Sequence, residues 1–155
     1  KLAKSMGFSH TIEEKDGIYR IIIEKTADIE QETEPEAEAR VELSDSDYCI
    51  LVTKKTLGTG PDELGSLLIS GFFIALGQAA KLPRNIFFIN EGVYLASQGS
   101  KYLDQLRDLE QKGVIISSCG TCLEYYNLKD KVAVGKVTNM YDIVDTITRT
   151  RTITL

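Results

Sequence analysis

The chain has no tryptophan, one histidine, three prolines and three cysteines among its 155 residues. Each scarcity closes off a class of function. Cys49, Cys119 and Cys122 are too few and too unevenly spread for a disulfide framework of the secreted kind, so in a reducing compartment they stand as thiols. Beyond the close pair, one cysteine and one histidine cannot complete the four ligands of a structural zinc site, and no metal or cofactor is expected. No run of about eighteen apolar residues occurs, and no charged-then-apolar leader opens the chain, so the expectation is a cytoplasmic protein without a membrane span. No cluster of Lys and Arg interleaves with aromatics, which argues against nucleic acid as a partner.

The formal charge of −5 is concentrated rather than spread. Residues 26–47, "TADIEQETEPEAEARVELSDSD", hold nine of the 23 acids and a single base, Arg40. That stretch alternates Glu with small residues and carries few large apolar side chains, too few to offset the entropy lost on ordering, so it reads as an acidic flexible linker. The rest of the chain is mildly basic.

Residues 1–25 have the pattern of a fragment of a larger domain. Lys1 to Met6 reads as the end of a helix closed by Gly7. A hairpin is then expected, with Phe8 to Glu13 and Ile18 to Lys25 as strands around the Lys15-Asp16-Gly17 turn. A helix end and a hairpin cannot bury a core by themselves.

From Tyr48 to Leu155, short apolar runs alternate with longer helical stretches, the pattern of a parallel sheet covered by helices. Five strands are expected at 48–53, 85–89, 114–117, 132–135 and 152–155, making an α/β doubly wound domain. Helices are expected at 62–81, 99–112, 122–126 and 140–148. The first shows Leu64, Leu67, Leu68, Phe72 and Ala75 at helical spacing. The second turns Leu103, Leu106 and Leu109 inward and stops at Gly113. Asp142 and Asp145 read as the solvated face of the last helix.

In an open α/β sheet, ligands bind at the carboxyl ends of the strands. That edge gathers Lys54 to Gly60, Asn90-Glu91-Gly92 with Val93, and Ser118 to Cys122. A Cys-Gly-Thr-Cys spacing at the mouth of a short helix puts thiols near free backbone N–H groups and the positive end of the helix dipole, both of which favour thiolate. Gly120 allows the tight backbone, Thr121 fills the spacing, and Lys54 and Lys55 bring positive charge to the same edge. The spacing alone leaves open two buried core cysteines or half of a metal site. Cys49, inside an apolar strand, reads as core, and His10 as an ordinary exposed histidine. The loop "TLGTGPDELG" matches neither a P-loop nor a full dinucleotide fingerprint, and Pro61, Asp62 and Glu63 oppose phosphate there. Gly58 and Gly60 then read as part of a well-capped helix start that allows close approach to the cysteine loop.

The segments "TLGTGPDELG", "FINEGVYLASQGS", "GVIISSCGTCLEYY" and "VGKVTNMYDIV" together closely resemble YedF-type selenium metabolism proteins, described as sulfurtransferase-like. By this resemblance, residues 48–155 form a DsrE-like three-layer domain, and residues 1–25 are the tail of a TusA/SirA-like domain. The resemblance implies a sulfur or selenium carrier or sulfurtransferase-like protein, with Cys119 and Cys122 in the family's "SCGTC" motif. Donor and acceptor proteins and a homo-oligomer are the partners it implies. On this reading Cys119 bears the persulfide, Cys122 resolves it, and backbone N–H groups of residues 120–122 stabilise the sulfur anion. The competing expectation is a non-catalytic homo-oligomeric binding or redox-sensing module. A thioredoxin-like reductase fits less well, because no proline lies where that fold needs one.

Overall fold

A computed structural model describes residues 8–15, 18–25 and 48–155. The chain divides into two compact units, Lys1–Ala39 and Arg40–Leu155. In the first, β1 (Phe8–Lys15) pairs antiparallel with β2 (Ile18–Lys25), Phe8 facing Lys25 and Lys15 facing Ile18. The expected hairpin is therefore present, and its first strand runs on through Glu14 and Lys15 to complete the ladder. The helix end expected at 1–6, the turn residues 16 and 17, and the acidic segment 26–47 lie outside the described residues.

The second unit is a five-stranded parallel sheet in the order Lys136–Thr138, Ile115–Cys119, Asn85–Phe88, Tyr48–Val52, Arg151–Thr154. Its elements are β3 (Tyr48–Val52), α1 (Asp62–Gly77), β4 (Asn85–Phe88), α2 (Leu103–Gln111), β5 (Ile115–Cys119), α3 (Gly120–Tyr125), β6 (Lys136–Thr138), α4 (Met140–Arg149) and β7 (Arg151–Thr154). A 3-10 helix, Asn90–Ala96, follows β4 directly. The chain steps outward from β3 to β6, then returns to place β7 on the far side of β3. With right-handed crossovers, that reversal sends α4 to the face opposite α1 and α2.

The core divides accordingly. On one face, Ile50, Val52, Ile86, Phe88 and Ile116 of the sheet pack with Ile69 and Phe73 of α1, Leu106 and Leu109 of α2, and Leu123 of α3. On the other, Cys49, Phe87 and Cys119 pack against Ile143 of α4, with Leu51, Ile89 and Ile147 beside them. All four residues of β4 are buried because it is the central strand and both its faces are covered, which is why it reads as an unbroken apolar run.

Two elements depart from expectation. The leucines of α1 face outward: Leu64, Leu67 and Leu68 are 51%, 70% and 47% exposed, while Gly65, Ile69, Phe73 and Leu76 are buried. The helix is apolar around most of its girth, so spacing alone does not choose the inner face. The fourth strand begins at Lys136 rather than Val132. Val132 makes only an isolated antiparallel bridge to Ser97, and the Ala133 and Val134 N–H groups both donate to the Ala96 carbonyl. The apolar run thus covers the core as a loop, and the strand starts only after Gly135, whose φ of +76° and lack of Cβ let it pass against the Ile116 carbonyl. An apolar run reports burial, not membership of a ladder.

Gly113 does end α2 as expected. Its φ is +89°, its N–H reaches the Glu110 carbonyl at 3.0 Å, and that of Val114 reaches Leu109 at 3.0 Å, the paired bonds of a Schellman closure. The start of α1 differs from the well-capped end expected: Pro61 holds the N-cap position and no side chain caps it. Gly65 serves α1's own entry loop, since a Cβ there would lie 2.8 Å from Thr56 Cβ.

Candidate functional site: a thiol pair at the sheet edge

The last residue of β5 is Cys119, which pairs with Thr138 of β6 and turns its side chain toward α4. It is 1% exposed. Its extended backbone makes it the N-cap of α3, so Cys122 falls in the first turn of that helix. Cys122 is only partly buried and packs at the seam of the two apolar clusters. Gly120 is needed at this junction because a Cβ would crowd Val137 Cγ1 at 3.2 Å and the Thr138 carbonyl at 3.3 Å.

The neighbouring strand supplies the polar contact. Asn90 follows β4 with φ of +48°, a left-handed conformation that Asn tolerates better than most residues. So turned, its backbone N–H donates to Cys122 Sγ at 3.1 Å. The Asn90 side chain is held in turn, its Oδ1 accepting from the Tyr126 hydroxyl at 2.8 Å. Tyr126 meets the ring of Tyr94 at a tilt and that of Tyr125 edge-on, with ring centroids 5.1 and 5.0 Å away. Gly92 lets the 3-10 helix settle on β3, since a Cβ there would collide with the Val52 carbonyl.

Burial pushes the Cys122 thiol above its ordinary range; the Asn90 N–H pulls it back down, while the hydrogen bond and charge of Cys119 push it up again. For Cys122 this balance runs against the expected bias to thiolate. The α3 helix has only six residues, and the donor that reaches sulfur is the Asn90 amide rather than an amide of residues 120–122. The Tyr126 phenol is also raised, first by desolvation and then by the charges of Glu91, Tyr125, Tyr94 and Cys122.

Of the residues expected at the site, Cys119, Gly120, Cys122, Asn90 and Gly92 come together. Glu91 is near enough to act on Tyr126, and Thr121 is exposed on α3. Lys54 is exposed and makes no ion pair or side-chain hydrogen bond among the described residues. Gly58 and Gly60 are exposed too, with nothing within 4 Å of where a Cβ would stand, so they make no close approach to the cysteine loop. Lys55 turns to a separate cleft. Sequence reasoning missed the tyrosine cluster, whose only signal was Tyr94, Tyr125 and Tyr126 flanking the two motifs.

Among the described residues no helix is long and apolar enough to cross a membrane. Residues 58–154 match the model of the DsrE/DsrF-like family. The match spans more than half of the chain, and the protein belongs to this family, which is associated with sulfur relay or transfer. Two solved structures share the fold. The ychN protein of E. coli is 14% identical, with a TM-score of 0.53 over 70% of this chain and 99% of that one. A protein of unknown function, MTH1491 from Methanobacterium thermoautotrophicum, is 18% identical, with a TM-score of 0.52 over 72% and 100%. No curated protein matches the chain.

Proposed function

We propose that the protein is a sulfur or selenium carrier, sulfurtransferase-like in its chemistry, that holds a persulfide-type adduct on Cys122 and resolves it with Cys119. The observation that carries this is the pairing of one accessible thiol, hydrogen-bonded to the Asn90 amide, with one buried thiol close enough to act on it. We assign the two roles in the reverse of the order expected from sequence, because a donor must reach the sulfur it loads and Cys119 is covered.

Loading begins with loss of the Cys122 proton to solvent. The thiolate attacks the outer sulfur of a donor persulfide, forming a Cys122 S–S bond and releasing the donor thiolate. Delivery follows when an acceptor nucleophile takes that outer sulfur and returns Cys122 to its thiol. In the absence of an acceptor, Cys119 attacks the Cys122 sulfur, forming a disulfide and expelling hydrosulfide, and an external dithiol must reduce the pair. The Asn90 N–H stabilises negative charge on Cys122 sulfur before attack and as it departs.

The SCGTC, NEG and TLGTG segments support a YedF-type protein of selenium metabolism, acting in the cytoplasm with donor and acceptor proteins, and the resemblance of the segment "LAKSMGFSHTIEEKDGIYRIIIEK" supports a TusA/SirA-like origin for residues 1–25. A homo-oligomer is supported by the outward apolar side of α1, where Leu64, Leu67, Leu68 and Ile74 flank the open Gly71. That same surface favours the second reading, an assembly module whose thiols only sense redox state.

The test is intact-mass analysis after incubation with a cysteine desulfurase and cysteine. The parent gains one sulfur, Cys119→Ser retains it longer, and Cys122→Ser gains none. Equal loading of Cys122→Ser and the parent refutes the assignment, and no loading of any form favours the assembly module.

A further inference from the structure

Cys122 and Tyr126 stand on one face of α3. Cys122 lies in the first turn, and Tyr126, four residues on, caps the other end, its N–H donating to the Cys122 carbonyl at 3.0 Å. Asn90 reaches across from the segment after β4 and meets both. Its backbone N–H donates to Cys122 Sγ at 3.1 Å, and its side-chain Oδ1 accepts from the Tyr126 hydroxyl at 2.8 Å. One residue is thus gripped at two points by a single helix face.

The grip has a conformation to hold. With φ of +48°, Asn90 occupies a region that asparagine tolerates but does not prefer. The peptide that joins it to Ile89 carries the donated N–H. The carbonyl of that peptide accepts from the Gly92 N–H at 2.9 Å, which steadies one side, and the bond from Oδ1 to Tyr126 steadies the other. The phenol is a fixed post, because its ring is partly buried against the larger apolar cluster and lies against the rings of Tyr94 and Tyr125.

We propose that Tyr126 is a positioning residue for Cys122: by holding Asn90 Oδ1 it keeps the Asn90 N–H aimed at the sulfur, and so sets how readily the thiolate forms and reacts. It touches no reacting atom itself. The inference deepens the carrier reading and rests on it for the use made of the thiolate, while the grip rests on the two hydrogen bonds alone. A hydrogen bond donated to sulfur favours thiolate over thiol, and the Asn90 N–H pulls Cys122 down against burial, the larger effect, and Cys119. The titratable groups that act at this edge are Cys119 from β5, Glu91 and Tyr94 from the 3-10 helix, and Tyr125 and Tyr126 at the end of α3. Desolvation and these neighbours raise the Tyr126 phenol, so it keeps the proton it donates through the range in which an ordinary tyrosine begins to ionise.

The test is the pH profile of Cys122 alkylation by iodoacetamide in the full chain, read by peptide mapping, for the parent, Tyr126→Phe, Asn90→Gly and the double variant. Phenylalanine keeps the ring in its cluster, and glycine keeps the N–H and takes the positive φ without strain. Tyr126→Phe should move the midpoint to higher pH. A weakened hydrogen bond lowers the thiolate population by about fivefold. Because the more basic thiolate is the better nucleophile, the rate at neutral pH should fall about twofold to threefold and the alkaline plateau should not fall. Asn90→Gly should move the midpoint the same way, and adding Tyr126→Phe to it should move it no further, since the phenol acts through Oδ1. An unmoved midpoint in either single variant, an equal slowing at every pH, or full additivity in the double variant would each overturn the positioning role. Alkylation needs no sulfur donor. A chain that behaves as expected here but loads no sulfur would remove the carrier reading and leave the positioning role standing, and an unmoved midpoint would remove that role even in a chain that loads.

Discussion

Replacing Gly92 by alanine should damage fold and thiol site together. The added Cβ would collide with the Val52 carbonyl oxygen and stand 3.0 Å from its carbon, where an unstrained carbon pair needs about 3.5–4.0 Å. The 3-10 helix must therefore lift from β3 by on the order of 1 Å, since a backbone carbonyl cannot yield as a flexible side chain would. Overpacking of this kind costs about 1–3 kcal/mol, and the Ile89 N–H bond to that carbonyl, 3.0 Å in the native fold, is worth about 1 kcal/mol more. The sum, about 2–4 kcal/mol, lowers the melting temperature by on the order of 10 °C. The same lift carries the Asn90 N–H away from Cys122 Sγ, now 3.1 Å away, and removes the one contact that lowers the thiol pKa. Urea unfolding gives the first quantity, and the pH dependence of Cys122 alkylation the second, which should move to higher pH. A variant as stable as the parent with an unmoved profile would refute the reasoning that Gly92 seats the thiol-binding amide.

Other outcomes follow from the same geometry. Iodoacetamide under native conditions should modify Cys122 well before Cys119 or Cys49, a ranking read by peptide mapping and opposed by equal rates at all three. Cys119→Ser removes a neighbour that raises the Cys122 pKa, so the Cys122 profile should shift to lower pH. Because folding raises that pKa, the folded chain holds the proton more tightly than the unfolded one. Its contribution is complete below the ordinary thiol range and is lost as pH rises through the raised value, so Cys122→Ser should flatten this part of the alkaline decline in urea stability. Ile143→Ala, which empties the centre of the α4 contact with Cys49, Phe87 and Cys119, should cost about 2–5 kcal/mol; a loss under 1 kcal/mol would mean that α4 is held by something else. Leu67→Glu, on the outer side of α1, should leave the monomer folded and lower the mass seen by sedimentation; an unchanged mass would exclude that face from self-association.

Much of the fold was legible because it rests on local signals. The Gly113 stop, the apolar β4 and the amphipathic α2 each state their role within a few residues. Where two faces compete, as on α1 with its leucines outside and Ile69 and Phe73 inside, the deciding information is which side meets the sheet, and that is tertiary. Strand β6 failed for a related reason, since Val132 to Val134 are apolar for packing while the ladder uses Lys136 to Thr138. At the site, the motif gave the thiols and the edge, together with Asn90 and Gly92. It did not give their electrostatics: the unequal burial of Cys119 and Cys122, and the origin of the sulfur-binding amide in the segment after a different strand, follow from β4 and β5 lying side by side.

The most direct measurement of the central claim is to load the reduced protein with isotopically labelled sulfane sulfur, quench at short and long times, and locate the label by fragmentation of the alkylated peptide spanning both cysteines. Label is expected on Cys122 first, followed without an acceptor by a Cys119–Cys122 disulfide and release of labelled hydrosulfide. Label that appears first on Cys119, or that stays on Cys122 with no disulfide in the presence of a free Cys119 thiol, would contradict it.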